Sequence, residues 1–73
     1  MVILKNIAKT NNDISADYYI EDREPKGFMK MRIEDGEVLE HENAGYGSTH
    51  VKRELRRLAK MDNPPREKTV LWY

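Results

Sequence analysis

Along this chain the spacing of apolar residues changes period once. The first segment, Val2 to Ala8, is rich in branched side chains that suit a pleated strand. After the turn cluster Thr10 to Asp13, Ile14, Ala16, Tyr18 and Ile20 alternate with Ser15, Asp17, Tyr19 and Glu21, the period of a half-buried strand. Asp22 to Gly27 reads as a reversal punctuated by Pro25 and Gly27. Met29, Met31 and Ile33 then alternate with Phe28, Lys30, Arg32 and Glu34 as far as Asp35-Gly36. That pair suits a hairpin, because a type I′ turn needs positive φ at both central residues. A two-residue loop there predicts Ile33 opposite Val38, Arg32 opposite Leu39 and Lys30 opposite His41.

From Gly47 to Lys60, "GSTHVKRELRRLAK", the period becomes helical. At about 100° per residue, Val51, Leu55, Leu58 and Ala59 fall within one arc, with Met61 at its edge. The two-glycine loop Asn43 to Ser48 leads in, and Ser48 or Thr49 is placed to cap the first turn. Asp62 to Pro65 ends the helix, since proline can neither donate to it nor let its neighbour continue it. Thr69 to Tyr73 has strong β-propensity. The predicted order is β-β-β-β-α-β. It describes a small α+β domain, in which a four-strand antiparallel meander and a C-terminal strand form one sheet, with one amphipathic helix packed on one face.

Length and composition narrow this little further. Seventy-three residues hold a single domain, 1–73, near the lower limit for one unaided core. The absence of cysteine excludes disulfides and thiolate metal sites. The apolar run Val2-Ile3-Leu4 is broken by Lys5, too early for a signal peptide or membrane span, so a cytoplasmic location is expected. Charge changes the picture more. Thirteen basic and thirteen acidic residues cancel, yet 1–46 holds six basic and ten acidic residues and 47–73 holds seven and three. Such a split marks either a basic contact surface or two halves that attract each other in the folded chain.

The basic excess lies on the helix. Lys52, Arg53, Arg56, Arg57 and Lys60 fall opposite the apolar arc, which makes a ridge for an anionic partner such as nucleic acid or a solvated face that pairs with nearby carboxylates. No aromatic residue lies in the helix to stack on a base. "GYGST" before it resembles a phosphate cradle but lacks the order of a P-loop, and a turn with an N-cap accounts for it. His41 stands between Glu40 and Glu42, but neighbours on a strand point to opposite faces and cannot converge on one ion. His50 falls in the first helical turn, where the dipole disfavours its cation. Neither a metal site, a cofactor site nor a nucleophile–base set is expected. If Tyr18, Met29, Met31, Ile33 and Val38 face the helix, then Tyr19, Phe28, Leu39 and His41 occupy the open side of the sheet as a candidate face for a protein partner or a second copy.

"GFMKMRIEDGEVLEHE" resembles the hairpin of PepSY-type and similar small bacterial domains. With "HVKREL" and "RLAKM" in the helix and "NPP" and "KTVLWY" in the tail, the whole chain resembles a family of short uncharacterised bacterial proteins. Neither resemblance implies an activity. Together these features read first as a non-enzymatic interaction module that binds a protein or itself. The second reading is nucleic-acid association through the basic face of the helix.

Overall fold

The computed structural model describes residues 1–21, 23–42 and 48–71. The elements are β1 (Val2–Lys9), β2 (Asp13–Ile20), β3 (Arg23–Arg32), β4 (Val38–Glu42), α1 (Ser48–Leu58) and β5 (Lys68–Val70). They form one antiparallel sheet in the order β4-β3-β2-β1-β5. The predicted fold class and element order are those observed. The first four strands form a meander, and the last returns beside the first.

One side of the sheet carries the core. Val2, Leu4 and Ile7 of β1, Ile14, Ala16 and Tyr18 of β2, and Met29 and Met31 of β3 are buried against Val51, Leu55, Leu58 and Ala59. The arc read from helical spacing is the face α1 buries, and Val51 and Leu55 are wholly inaccessible. Ile20, Ile33, Val38 and Val70 pack around the margin. The C-terminal end of α1 is fastened to β1, where the Lys9 ammonium donates to the Met61 carbonyl at 2.7 Å. A cation at that position also complements the helix dipole.

Three local features depart from simple alternation. In β1, Lys5 faces Asp17 but Ala8 faces Ser15, so one extra residue is accommodated between them. Asn6 takes the left-handed conformation there, with φ 53°, which asparagine tolerates better than most residues. The bulge shifts the alternation by one, so that Ile7 joins Val2 and Leu4 on the core side.

The second departure corrects the reversal expected over Asp22 to Gly27. β3 already begins at Arg23, and Pro25 falls where the β2–β3 register shifts between the pairs Tyr18–Gly27 and Ile20–Arg23. Gly27 belongs to the strand. Its Cα lies under the Tyr18 ring, where an added Cβ would come within 2.4 Å of ring carbon. Lacking a side chain there, Gly27 lets the Tyr18 ring cross β3, and its hydroxyl reaches β4.

The third concerns the hairpin. Asp35-Gly36 does not form a two-residue loop. The Arg32 N–H donates to the Glu37 carbonyl and the Gly36 N–H to the Arg32 carbonyl, each at 2.8 Å, which closes a four-residue loop over Ile33 to Gly36. Gly36 alone takes positive φ, at 73°. Met31 therefore faces Val38, and after a shift at Leu39, Lys30 faces Glu40 and Met29 faces His41. The predicted partners of Ile33, Arg32 and Lys30 are replaced by this register. Longer loops built on a type I turn need only one left-handed residue, and glycine meets that need in either geometry.

Two substitutions test this packing. Leu55→Asp places a charge among wholly buried apolar side chains and should abolish the cooperative thermal transition, whereas an unchanged melt would refute the assigned stripe. Gly27→Ala should cost about 1–3 kcal/mol by chemical denaturation, the usual range for overpacking. Wild-type stability in that variant would mean that the Tyr18 ring is not confined.

Candidate functional site

The ridge emerges from the way α1 is seated. Because Val51, Leu55 and Leu58 are buried against the sheet, the opposite arc faces solvent, and Lys52, Arg53, Arg56 and Arg57 on it, with Lys60 just past its end, are exposed. Lys52, Arg53, Arg56, Arg57 and Lys60 line one shallow groove with Thr49, about 520 Å³ in volume. The structure thus brings together every residue of the basic set read from the sequence.

Their electrostatic partners are few. Glu54 is the only acidic residue of the helix, and both its oxygens accept from the Arg57 guanidinium, with Nε at 3.1 Å from the nearer one. This contact raises the Arg57 pKa further. Among the described residues Lys52, Arg53, Arg56 and Lys60 have no carboxylate within salt-bridge distance. Among the described residues no acidic strand pairs with the ridge, and the reason is topological. Asp13 and Asp17 are held by Lys30 at 3.6 Å and Lys26 at 3.3 Å, and Lys30 pairs across the sheet with outward-facing Ser15. Every salt bridge among the described residues joins groups of the same half of the chain. Among the described residues, then, no ion pair joins the acidic half to the basic half.

The hairpin tip approaches the ridge at one point. Arg56 lies against Gly36, with Nε 3.2 Å from the place a Cβ would occupy. Asp35 and Glu37 flank that glycine, and one nitrogen of Arg32 holds both, at 3.0 Å and 2.8 Å. Asp35 also accepts the Glu37 backbone N–H at 3.0 Å. That backbone bond, followed by the Arg32 contact, holds the Asp35 carboxyl below the ordinary aspartate value. The same two carboxylates raise the Arg32 pKa, Asp35 foremost.

The four residues read as a protein-partner face are not all together. Tyr19 and Phe28 share the open side of the sheet with Ile3, but each is half-buried, and the Lys5 ammonium sits 5.3 Å from the centre of the Tyr19 ring. His41 is on the other side. Its partner across the sheet is Met29, and its Nε2 lies 2.6 Å from the Tyr18 hydroxyl, which also donates to the Glu42 carbonyl at 3.3 Å. Burial raises the Tyr18 pKa. The expected position of His41 failed because of the shift at Leu39: the longer loop moves the pairing by two residues and keeps every face, whereas the one-residue shift turns Glu40 outward and His41 inward. Leu39 is 42% exposed, but the other large exposed apolar side chains among the described residues, Met61 and Leu71, lie on separate elements. Glu40 and Glu42 face Lys30 and Phe28, on the side opposite His41, as strand alternation required. The "GYGS" part of the proposed phosphate cradle and the Ser48 cap lie outside the described residues and side chains. The residue that sequence reasoning missed is Arg32. Its signal was present as a cation flanking a turn with two acids, but its reach depends on loop length.

Searches with protein-family models, among curated proteins and among solved structures return no match to this chain. They bear on neither of the two resemblances. No helix among the described residues is long and apolar enough to cross a membrane.

Asp35 supplies a measurable check on the tip geometry. Because its folded-state pKa is lowered, its contribution to stability is present above the unfolded value and is lost as pH falls through the folded one. Carboxyl-carbon NMR should show Asp35 titrating below the ordinary aspartate value. An ordinary midpoint would contradict the Glu37 and Arg32 contacts.

Proposed function

We propose that the protein is a non-enzymatic interaction module that binds nucleic acid through the phosphate backbone, using the outer face of α1. One observation carries this reading: four exposed cations lining one groove, Lys52, Arg53 and Arg56 on α1 and Lys60 just past its end, have no carboxylate partner among the described residues. Lys52 to Lys60 spans about 12 Å at the rise of an α-helix. A duplex presents one negative charge per 1.7 Å or so of its axis, so a ridge of that length faces several phosphates at once. The helix carries no Phe, Tyr, Trp, Asn or Gln, so the contact we propose rests on its cations and the phosphates. The cytoplasm, where nucleic acid is at hand, is the location that goes with this reading.

Binding to another protein or to a second copy through Tyr19, Phe28 and Leu39 draws less support. Tyr19 and Phe28 are half-buried, the charged pairs Asp13–Lys30 and Asp17–Lys26 surround them, and His41 does not join them.

Fluorescence anisotropy with a short labelled duplex separates the two readings. Four phosphate contacts should give a slope of log affinity against log salt of about −3.6. Reversing two of them in Arg53→Glu/Arg56→Glu should flatten the slope by roughly 1.8 or more, while the thermal melt stays that of the wild type. No binding at low salt would overturn the proposal. So would a lysate partner that is retained after nuclease treatment and is unaffected by the double reversal.

A further inference from the structure

We infer that Arg32, which is not part of the ridge, keeps it available to its ligand by holding the carboxylates of the hairpin tip; the inference rests on the nucleic-acid reading above. Arg56 is the ridge cation closest to an acidic segment. Its guanidinium lies against Gly36, with Nε and Cζ 3.2 Å and 3.5 Å from the position of a Cβ that glycine lacks. The residues on either side of that glycine, Asp35 and Glu37, are both acidic. A tip of this composition next to a guanidinium would ordinarily make an ion pair with it. Here it does not, because a second guanidinium, on the opposite flank of the loop, takes both carboxylates at 3.0 Å and 2.8 Å.

The geometry that permits this is built from the backbone. The four-residue loop brings the Arg32 and Glu37 backbones into a hydrogen bond, so the Glu37 side chain starts close to Arg32. The Asp35 carboxylate is turned back toward the same side by accepting the Glu37 N–H. Gly36, at φ 73°, makes the reversal and leaves the space in which Arg56 rests. Arg32 is thus a positioning residue. It spends its charge on the tip, and Arg56 keeps its own for a phosphate.

The test uses the full chain, the same labelled duplex and three variants. In Arg32→Gln the two carboxylates are freed beside Arg56, and the salt slope should flatten by about 0.9, the value of one phosphate contact, with affinity several-fold weaker. Removing those carboxylates as well, in Arg32→Gln/Asp35→Asn/Glu37→Gln, should restore the wild-type slope and affinity. A charge-matched control, Arg32→Gln/Glu40→Gln/Glu42→Gln, neutralises two carboxylates on the strand β4, where Glu40 and Glu42 face Lys30 and Phe28, and should remain weak. Restoration by both triple variants would reduce the effect to overall charge and overturn the inference. Wild-type binding by Arg32→Gln would also overturn it, and a tip triple that stays weak would mean that Arg32 itself touches the ligand. If the wild-type chain binds no duplex at low salt, the underlying reading fails, a result distinct from all of these.

Discussion

Everything distinctive about this molecule follows from a sheet that has one helix to cover it. Val51, Leu55 and Leu58 are buried completely against β1, β2 and β3, and burying a side chain of that size contributes about 1.5–3 kcal/mol. A chain this short has little other apolar surface to bury, so the contact fixes the orientation of both partners. Once the stripe faces inward, the arc with Lys52, Arg53, Arg56 and Arg57 must face outward. The same constraint selects Tyr18, Met29 and Met31 for the inner side of the sheet and leaves the charged residues between them for the outer side.

The charges then sort by distance along the chain. Carboxylates of β2 meet lysines of β3 because adjacent antiparallel strands place them within reach, and the tip carboxylates meet Arg32 across a four-residue loop. Glu54 meets Arg57 one helical turn away. Exposed pairs of this kind contribute little to stability individually. Their larger effect is on what remains. They engage the acids of β2, of the hairpin tip and of α1 locally and leave a row of cations along α1, in a chain whose net charge is zero. A neutral total therefore conceals a surface that is locally strongly positive.

The fold was legible where a pattern has enough repeats to exclude its alternatives. The alternation from Ile14 to Ile20 and the arc from Val51 to Ala59 each span several periods, and each is buried on the expected side. What stayed hidden depends on single residues whose role is set by a partner distant in sequence. Gly27 looks like turn punctuation until Tyr18 is seen to lie over it, and Asn6 gives no sign of a bulge until Asp17 and Ser15 define the register. The site divides the same way. All five ridge residues could be read from helical spacing, whereas the face of His41 could not, since it turned on a one-residue shift of register at Leu39.

Tyr18 shows how such hidden details join fold to site. β4 is an edge strand whose own side chains are largely exposed, with few apolar groups to hold it. A hydroxyl that reaches from a fully buried ring to His41 and the Glu42 carbonyl anchors the strand's far end, while the closed loop over Ile33 to Gly36 anchors its beginning. Both anchors depend on glycine, at position 27 for the passage of the ring and at position 36 for the reversal. With β4 held at both ends, the acidic tip has a defined position beside Arg56, and which cation the tip engages becomes a property of the fold rather than of chance encounters among exposed side chains. The basic ridge is thus shaped from two directions, by the apolar arc that turns it outward and by a hairpin that keeps its own acids to itself.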